Sequence, residues 1–268
     1  MQVKPKKRLG QHFLRNEQVA EDIVNSLVTP NPNLIEIGPG MGMLTKYLMR
    51  KQGMHFSVVE LDEESVLYLQ QKYPDLAPNI IARDFLALDL AEMYSEPLTI
   101  IGNFPYNISS QILFKMLVHK EIVTELVGMF QKEVAERIAA KPGGKSYGIL
   151  TVLIQAFYDV EYLFTVHEHE FDPPPKVKSA VIRIVKNEDK KLGCDEALFM
   201  KVVKTAFNQR RKILRNSLKT FIFPENYLTS PVFNRRPEQL TVAEFEEICK
   251  QLIVNSLTPT QSLPEVSN

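Results

Sequence analysis

The chain has 268 residues, 44% of them apolar and 24% charged, which suits one or two globular domains and excludes a disordered or fibrous protein. No stretch is apolar for long enough to span a bilayer, and the opening residues lead into no signal-peptide core. Cys194 and Cys249 lie far apart outside any CxxC pattern, so a reducing, cytoplasmic compartment is expected. Formal net charge is zero, but its distribution is uneven, and distribution decides whether a nucleic acid can be a partner.

In chain order, residues 1–15 carry Lys4, Lys6, Lys7, Arg8 and Arg15 with no acidic residue. From about residue 33, short apolar runs alternate with segments of helical period. Leu34–Ile37, Phe56–Val59, Asn79–Ala82 and Leu98–Ile101 read as buried strands. Leu44–Lys51, Glu63–Lys72 and Ile112–His119 read as the helices between them. This alternation predicts a parallel sheet with helices on both faces. Tyr158–Val166 and Lys178–Lys186 read as two further strands, separated by the rigid Asp172-Pro173-Pro174-Pro175 loop. His167-Glu168-His169-Glu170 is expected as an exposed strand end, since two histidines without a third spaced ligand make a weak metal site. The polar break Asn187–Lys191 sets an expected boundary, with domains at 1–187 and 188–268. Beyond it the chain reads as helical, and Thr241-Val242-Ala243-Glu244 is a capping box opening a helix whose apolar face is Phe245, Ile248, Cys249 and Leu252. Residues 199–223 form a second run without acids, with Arg210, Arg211, Lys212 and Arg215 spaced to line one side of a helix and assigned to phosphate contact. A loose tail is expected from about Thr258.

Three motifs in the first domain carry chemistry. Glu36-Ile37-Gly38-Pro39-Gly40-Met41-Gly42 runs from a strand end into a helix, and its glycines let backbone approach a ligand. Met43 stands where the dinucleotide fingerprint needs its third glycine, which disfavours a nicotinamide cofactor. Glu60 ends the next strand, about twenty residues on, where a carboxylate can accept from both hydroxyls of a ribose. Asp84, after the third strand, is an acceptor suited to an adenine amine. No P-loop lysine accompanies them, so the pocket suits an adenosine-bearing cofactor without a triphosphate. The third motif, Asn103-Phe104-Pro105-Tyr106, closes the fourth strand. Adenine N6 is a poor nucleophile because its lone pair is delocalised into the ring. The Asn103 Oδ1 and the Phe104 carbonyl can accept from both N6 hydrogens and favour a pyramidal nitrogen, Pro105 fixes the backbone that aims them, and Tyr106 offers a ring for a flipped-out base. The pattern needs no metal and no covalent intermediate. A plain proline turn with a buried tyrosine is the competing structural account.

Gly10-Gln11-His12-Phe13-Leu14, the glycine motif through Thr45, Asn103–Ser109, Phe171–Val181, Phe207–Leu218 and Arg236–Thr241 together resemble the KsgA family of small-subunit ribosomal RNA adenine N6,N6-dimethyltransferases, over nearly the whole chain. The resemblance implies a Rossmann-like class I S-adenosylmethionine-dependent methyltransferase fold, α/β, with a small C-terminal all-helical domain that binds rRNA. It implies S-adenosylmethionine as cofactor and S-adenosylhomocysteine as product, with His12, Leu14, Gly38, Gly40, Glu60, Asp84 and Asn103 as cofactor contacts. Asn103, Phe104, Pro105 and Tyr106 match the family's catalytic tetrad, and Phe171 matches an aromatic that sandwiches the target base. The implied reaction dimethylates two adjacent adenosines in a hairpin loop near the 3′ end of 16S rRNA. The implied substrate is a 30S particle, met by a cytoplasmic monomer with a part in subunit biogenesis. Two positions depart from the family: Phe104 replaces the usual leucine of the tetrad, and Asn16 replaces a common aspartate. An Erm-type enzyme acting on 23S rRNA shares the glycine loop and the tetrad, and the triple-proline and Arg236–Thr241 segments favour KsgA over it. A non-catalytic RNA-binding assembly factor would have no reason to keep Glu60, Asp84 and the tetrad together. A DNA adenine methyltransferase is a weaker alternative still, because the basic C-terminal segment matches the ribosomal family.

Overall fold

Long apolar runs with few polar interruptions belong in strands covered on both faces, and that is how the middle of the chain is used. The structure, a computed structural model, describes residues 3–253, so the tail expected from about Thr258 lies outside the described residues. The chain forms two compact units, one of Met1–Lys141 with Ser146–Lys191 and one of Pro142–Lys145 with Leu192–Asn268.

The strands of the first unit are β1 (Phe13–Leu14), β2 (Asn33–Ile37), β3 (His55–Val59), β4 (Ile80–Ile81), β5 (Leu98–Asn103), β6 (Val123–Gln131), β7 (Tyr158–Val166), β8 (Phe171–Asp172) and β9 (Ser179–Lys186). Seven form one sheet in the order β4-β3-β2-β5-β6-β9-β7, with β9 antiparallel to both neighbours and the other pairings parallel. The chain builds outward from β2 through β3 to β4, then returns to place β5 on the other side of β2. That reversal opens a crevice at the carboxyl ends of β2 and β5, where open parallel sheets take their ligands.

Helices α1 (Glu17–Asn25), α2 (Thr45–Leu48), α3 (Glu63–Lys72), α4 (Leu90–Met93), α5 (Ser109–Val118), α6 (Lys132–Ile138) and α7 (Ile149–Gln155) connect these strands. α3 has the bounds expected from its period, whereas α2 keeps a single turn of the longer helix expected over Leu44–Lys51. Asn16 caps α1 by accepting from Val19 N at 3.1 Å, and its amide donates to Glu170 Oε2 at 2.8 Å. An aspartate could cap the helix but could not donate to Glu170, which gives the Asn16 departure a structural reason.

The periodicity did not single out β6. Its apolar run is broken by Glu125 and Gly128, and each break has a specific partner. Glu125 is fully buried, and its two carboxylate oxygens accept from Val28 N at 2.8 Å and Thr29 N at 3.0 Å. Gly128 lies beneath the Phe104 ring. The β1–β8 ladder, pairing Phe13 with Asp172 and Leu14 with Phe171, was equally unmarked in the sequence. It draws the amino-terminal segment to the proline loop, and Arg15 N extends it to Glu170 O at 2.8 Å. Glu168–Glu170 forms a 3-10 turn rather than the strand end expected from His167–Glu170, because the chain must turn there to bring Phe171 back to Leu14.

The second unit holds α8 (Glu196–Asn208), α9 (Leu214–Ser217), α10 (Glu225–Leu228) and α11 (Val242–Lys250). Thr241 and Glu244 form the reciprocal cap of α11, with Glu244 N donating to Thr241 Oγ1 at 3.2 Å and Thr241 N to Glu244 Oε2 at 2.9 Å. Phe245, Ile248 and Cys249 are buried, and Phe207 of α8 packs on Phe245 with ring centres 5.9 Å apart. The four residues Pro142–Lys145 belong to this unit because Gly143 N donates to Glu238 O at 2.6 Å and the Arg210 guanidinium donates to the carbonyls of Gly144 and Lys145.

Candidate active site

The glycine turn after β2 has Gly38, Gly40 and Gly42 at φ of 66°, 54° and 79°, a left-handed conformation that side chains disfavour. Space forbids a side chain as well at Gly40, where a Cβ would lie 2.8 Å from the Phe13 ring. The turn is fastened to the next strand at two points. Gly38 N donates to Val59 O at 2.9 Å, and Gly40 N donates to Glu60 Oε2 at 3.1 Å. The other oxygen of Glu60 accepts from Asp62 N at 2.9 Å. Burial pushes the Glu60 carboxyl up from its ordinary range, against the pull of these N–H groups. Asp84 is exposed and caps the 3-10 turn Phe85–Ala87 by accepting from Leu86 N at 2.9 Å.

Asn103 is the last residue of β5. Its Nδ2 donates to the His12 carbonyl at 3.0 Å, which fixes the amide and leaves Oδ1 as an acceptor with no hydrogen-bond donor among the described residues. Phe104 is 1% exposed and anchors the turn through its side chain. Its ring lies against Gly102 and Gly128 and meets Phe130 edge-on at 5.1 Å, while its N–H donates to Met129 O at 3.3 Å. The Tyr106 hydroxyl is 2.6 Å from Ser179 Oγ, and the His12 ring stacks on the Tyr106 ring at 5.5 Å and 28°. His12 Nδ1 lies 2.8 Å from Pro173 O; a carbonyl only accepts, so Nδ1 carries the proton. Burial raises the Tyr106 phenol, which is therefore neutral at physiological pH.

These residues wall one hollow of about 880 Å³, counting the space at its open mouth. His12, Gly38, Gly40, Glu60, Asp84 and Asn103–Tyr106 all line it. Leu14 does not: it packs in the apolar cluster with Ala20, Ile23 and Val181 and reaches an adjoining hollow that shares Phe13, Gly38 and Asn103 with the first. Phe171 is 3% exposed in that same cluster and lines neither hollow. Sequence reasoning missed Asp62, whose buried carboxylate binds the Lys6 ammonium and accepts from Gln11 Nε2 at 3.4 Å, tying the amino-terminal segment to the residue that braces Glu60. It also missed Ser179, which carries no signal of its own beyond its place after the triple proline. Among the described residues, no three metal-ligating side chains gather at one point, and His167 and His169 stack on each other at 5.6 Å.

In the second unit, Arg211, Lys212 and Arg215 are exposed. Arg210 is engaged with the Gly144 and Lys145 carbonyls and lies 3.9 Å from Glu238. The four do not share one helix face: residues 209–212 form the turn between α8 and α9, because α8 ends at Asn208.

The donor and acceptor set fits an adenosine-bearing sulfonium cofactor. It offers a braced carboxylate for a ribose diol, an exposed acid one strand further on, and a left-handed glycine turn whose backbone carries no side chains toward the hollow. Comparison with known proteins agrees. The family model described as ribosomal RNA adenine dimethylase matches residues 2–253. The ribosomal RNA small subunit methyltransferase A of Phocaeicola vulgatus is 57% identical over 253 residues, covering 93% of this chain and 90% of that one. Among solved structures, a dimethyladenosine transferase from Plasmodium falciparum superposes with a TM-score of 0.71 at 22% identity, over 87% of this chain and 94% of that one. The 23S rRNA methyltransferase ErmE superposes at 0.68 with 25% identity, over 89% and 100%. The fold is that of the class I S-adenosylmethionine-dependent methyltransferases, and with the match running from the amino-terminal segment through the tetrad to the basic turn and α11, the chain belongs to the ribosomal RNA adenine dimethylase family.

Proposed function

We propose that this protein dimethylates N6 of two adjacent adenosines in a hairpin loop near the 3′ end of 16S rRNA, with S-adenosylmethionine as methyl donor and S-adenosylhomocysteine as product. The observation that carries the reading is the pinned amide of Asn103: His12 O holds Nδ2, so Oδ1 is the end presented to a ligand, one residue before the carbonyl of Phe104. Two acceptors in this order suit the two hydrogens of an exocyclic amine. Their hydrogen bonds draw the nitrogen toward a pyramidal geometry and free its lone pair for attack. The cofactor, when bound, supplies an electrophilic methyl group on sulfur. Glu60 holds the ribose, Asp84 the adenine amine, and Gly38 and Gly40 admit the backbone to close range. Tyr106 supports the flipped base, and Phe171 reaches that base only by leaving the apolar cluster it now occupies.

The first unit is then the methyltransferase domain. The second binds rRNA, with Arg211, Lys212 and Arg215 on phosphates and Arg210 bracing the turn that presents them. The protein acts in the cytoplasm as a monomer on a preassembled 30S particle, and takes part in small-subunit biogenesis. The name of the Phocaeicola relative, a small subunit methyltransferase at 57% identity, supports the small subunit over the large one. Among the described residues, no helix is long and apolar enough to cross a membrane. The test is Asn103→Ala assayed on 30S particles that lack the modification. Transfer falls by about a hundredfold or more; transfer at the unmutated rate refutes the assignment.

A further inference from the structure

Tyr106 can support a base only if its ring is held still, since misplacement of a reacting group by about 1 Å costs on the order of a hundredfold in rate. A half-buried tyrosine with a free hydroxyl would swing about its side-chain torsions. Here the hydroxyl is bonded at 2.6 Å to Ser179 Oγ. Ser179 is fully buried at the first position of β9, where it pairs with Gln131 of β6 on one side and Val166 of β7 on the other. That places the anchor between two strands, in a part of the fold that has no freedom to follow the ring. The second support is the His12 ring on the face of Tyr106, itself fixed by Pro173 O, and the third is Ser109 Oγ, which donates to Tyr106 O at 3.0 Å. Of these, only Ser179 sets the direction of the ring's long axis.

We infer that Ser179 is a positioning residue for methyl transfer, acting through the Tyr106 hydroxyl to fix the direction of the ring against which the target adenine lies. The inference rests on the proposed role of Tyr106 as the base platform. It assigns a task to a side chain that touches neither cofactor nor base. Losing the bond lets the ring's long axis swing, so fewer bound bases are in line with the methyl group, while the cofactor pocket is unchanged. The signature is a fall in kcat with KM for S-adenosylmethionine preserved.

The experiment is a double-mutant cycle of Ser179→Ala and Tyr106→Phe, which remove the same bond from opposite ends and leave the aromatic ring in place. Each single variant lowers kcat about tenfold, in line with the loss of one hydrogen bond, and the double variant is no slower than either single. Melting temperatures identify any variant whose loss is mere unfolding, and because the two substitutions perturb packing differently, a common unfolding defect does not mimic this non-additivity. Losses that multiply to about a hundredfold in the double variant overturn the inference, as does a rise in KM for the cofactor in place of the fall in kcat, or wild-type rates in both singles. Asn103→Ala is run alongside: if it also transfers at the wild-type rate, the reading of the site fails, whereas if it is inactive and the cycle is additive, only the role of Ser179 falls.

Discussion

Gly128→Ala tests how the Phe104 turn is aimed. A Cβ at position 128 would lie 2.0 Å from Phe104 Cε2 and 2.7 Å and 2.9 Å from two further ring atoms. Ordinary carbon contacts are about 3.5–4.0 Å, so the ring would have to retreat by roughly 1.5 Å. It has no room to do so. Phe104 is 1% exposed, a Cβ at Gly102 would already touch the same ring at 2.8 Å, and Phe130 blocks it edge-on. Overpacking of this kind costs about 1–3 kcal/mol of stability. A functional loss of similar size is expected beside it, because the ring is the anchor of the carbonyl proposed to accept from N6, and a displacement of about 1 Å there lowers the rate on the order of a hundredfold. The assay is single-turnover methyl transfer beside thermal melting, with Phe104→Leu added to Gly128→Ala. Leucine lacks the colliding Cε2 and Cζ atoms and its Cδ branch can turn away from position 128, so the double variant recovers most of the lost rate. Full activity in Gly128→Ala, or no recovery on adding Phe104→Leu, would refute the coupling between this glycine and the tetrad.

Other tests address separate parts of the molecule. Glu36 is buried at the end of β2 and accepts from Thr45 Oγ1 at 2.6 Å; burial pushes its carboxyl up to about 8, with the Glu60 charge adding to the rise. An acid whose pKa is raised on folding holds its proton in the native state while the unfolded chain has lost it, so stability falls as pH rises from about 4.5 to about 8. The limit is on the order of 5 kcal/mol, and Glu36→Gln, melted without cofactor across that window, flattens the decline. Glu60→Gln keeps the shape but offers the ribose one acceptor fewer and turns an amide NH2 toward Gly40 N or Asp62 N, so isothermal titration is expected to show cofactor binding weakened about tenfold or more and melting a loss of about 1–3 kcal/mol. Replacing Arg211, Lys212 and Arg215 together by alanine weakens binding to small subunits and leaves cofactor binding unchanged. The slope of log affinity against log salt becomes shallower by about 1 for each phosphate that these side chains no longer neutralise.

The parts of the fold legible in the sequence are those where one residue type suffices. Glycines that need left-handed backbone, an acid at the end of the second sheet strand and Asn-Phe-Pro-Tyr at the end of the fourth expected one could be placed because strand ends and turn chemistry are local. β6 escaped because its two interruptions are explained only by distant groups: Glu125 by the amides of Val28 and Thr29, Gly128 by the ring of Phe104. The β1–β8 ladder escaped for the same reason, since two residues at each end give no periodicity and the pairing joins segments far apart in the chain. That ladder is also why Leu14, read as a cofactor contact, packs into the core beside the adjoining hollow. Arg210 illustrates a limit of charge counting: the run of basic residues is visible, but which member braces a loop and which faces solvent depends on the carbonyls of Gly144 and Lys145.

The most direct test of the central claim is transfer of labelled methyl from S-adenosylmethionine to small subunits lacking the modification, with large subunits and free rRNA in parallel and primer extension to map the product. The account predicts dimethyladenine at two adjacent adenosines near the 3′ end of 16S rRNA. Label confined to large subunits, or binding to small subunits with no transfer, would contradict it.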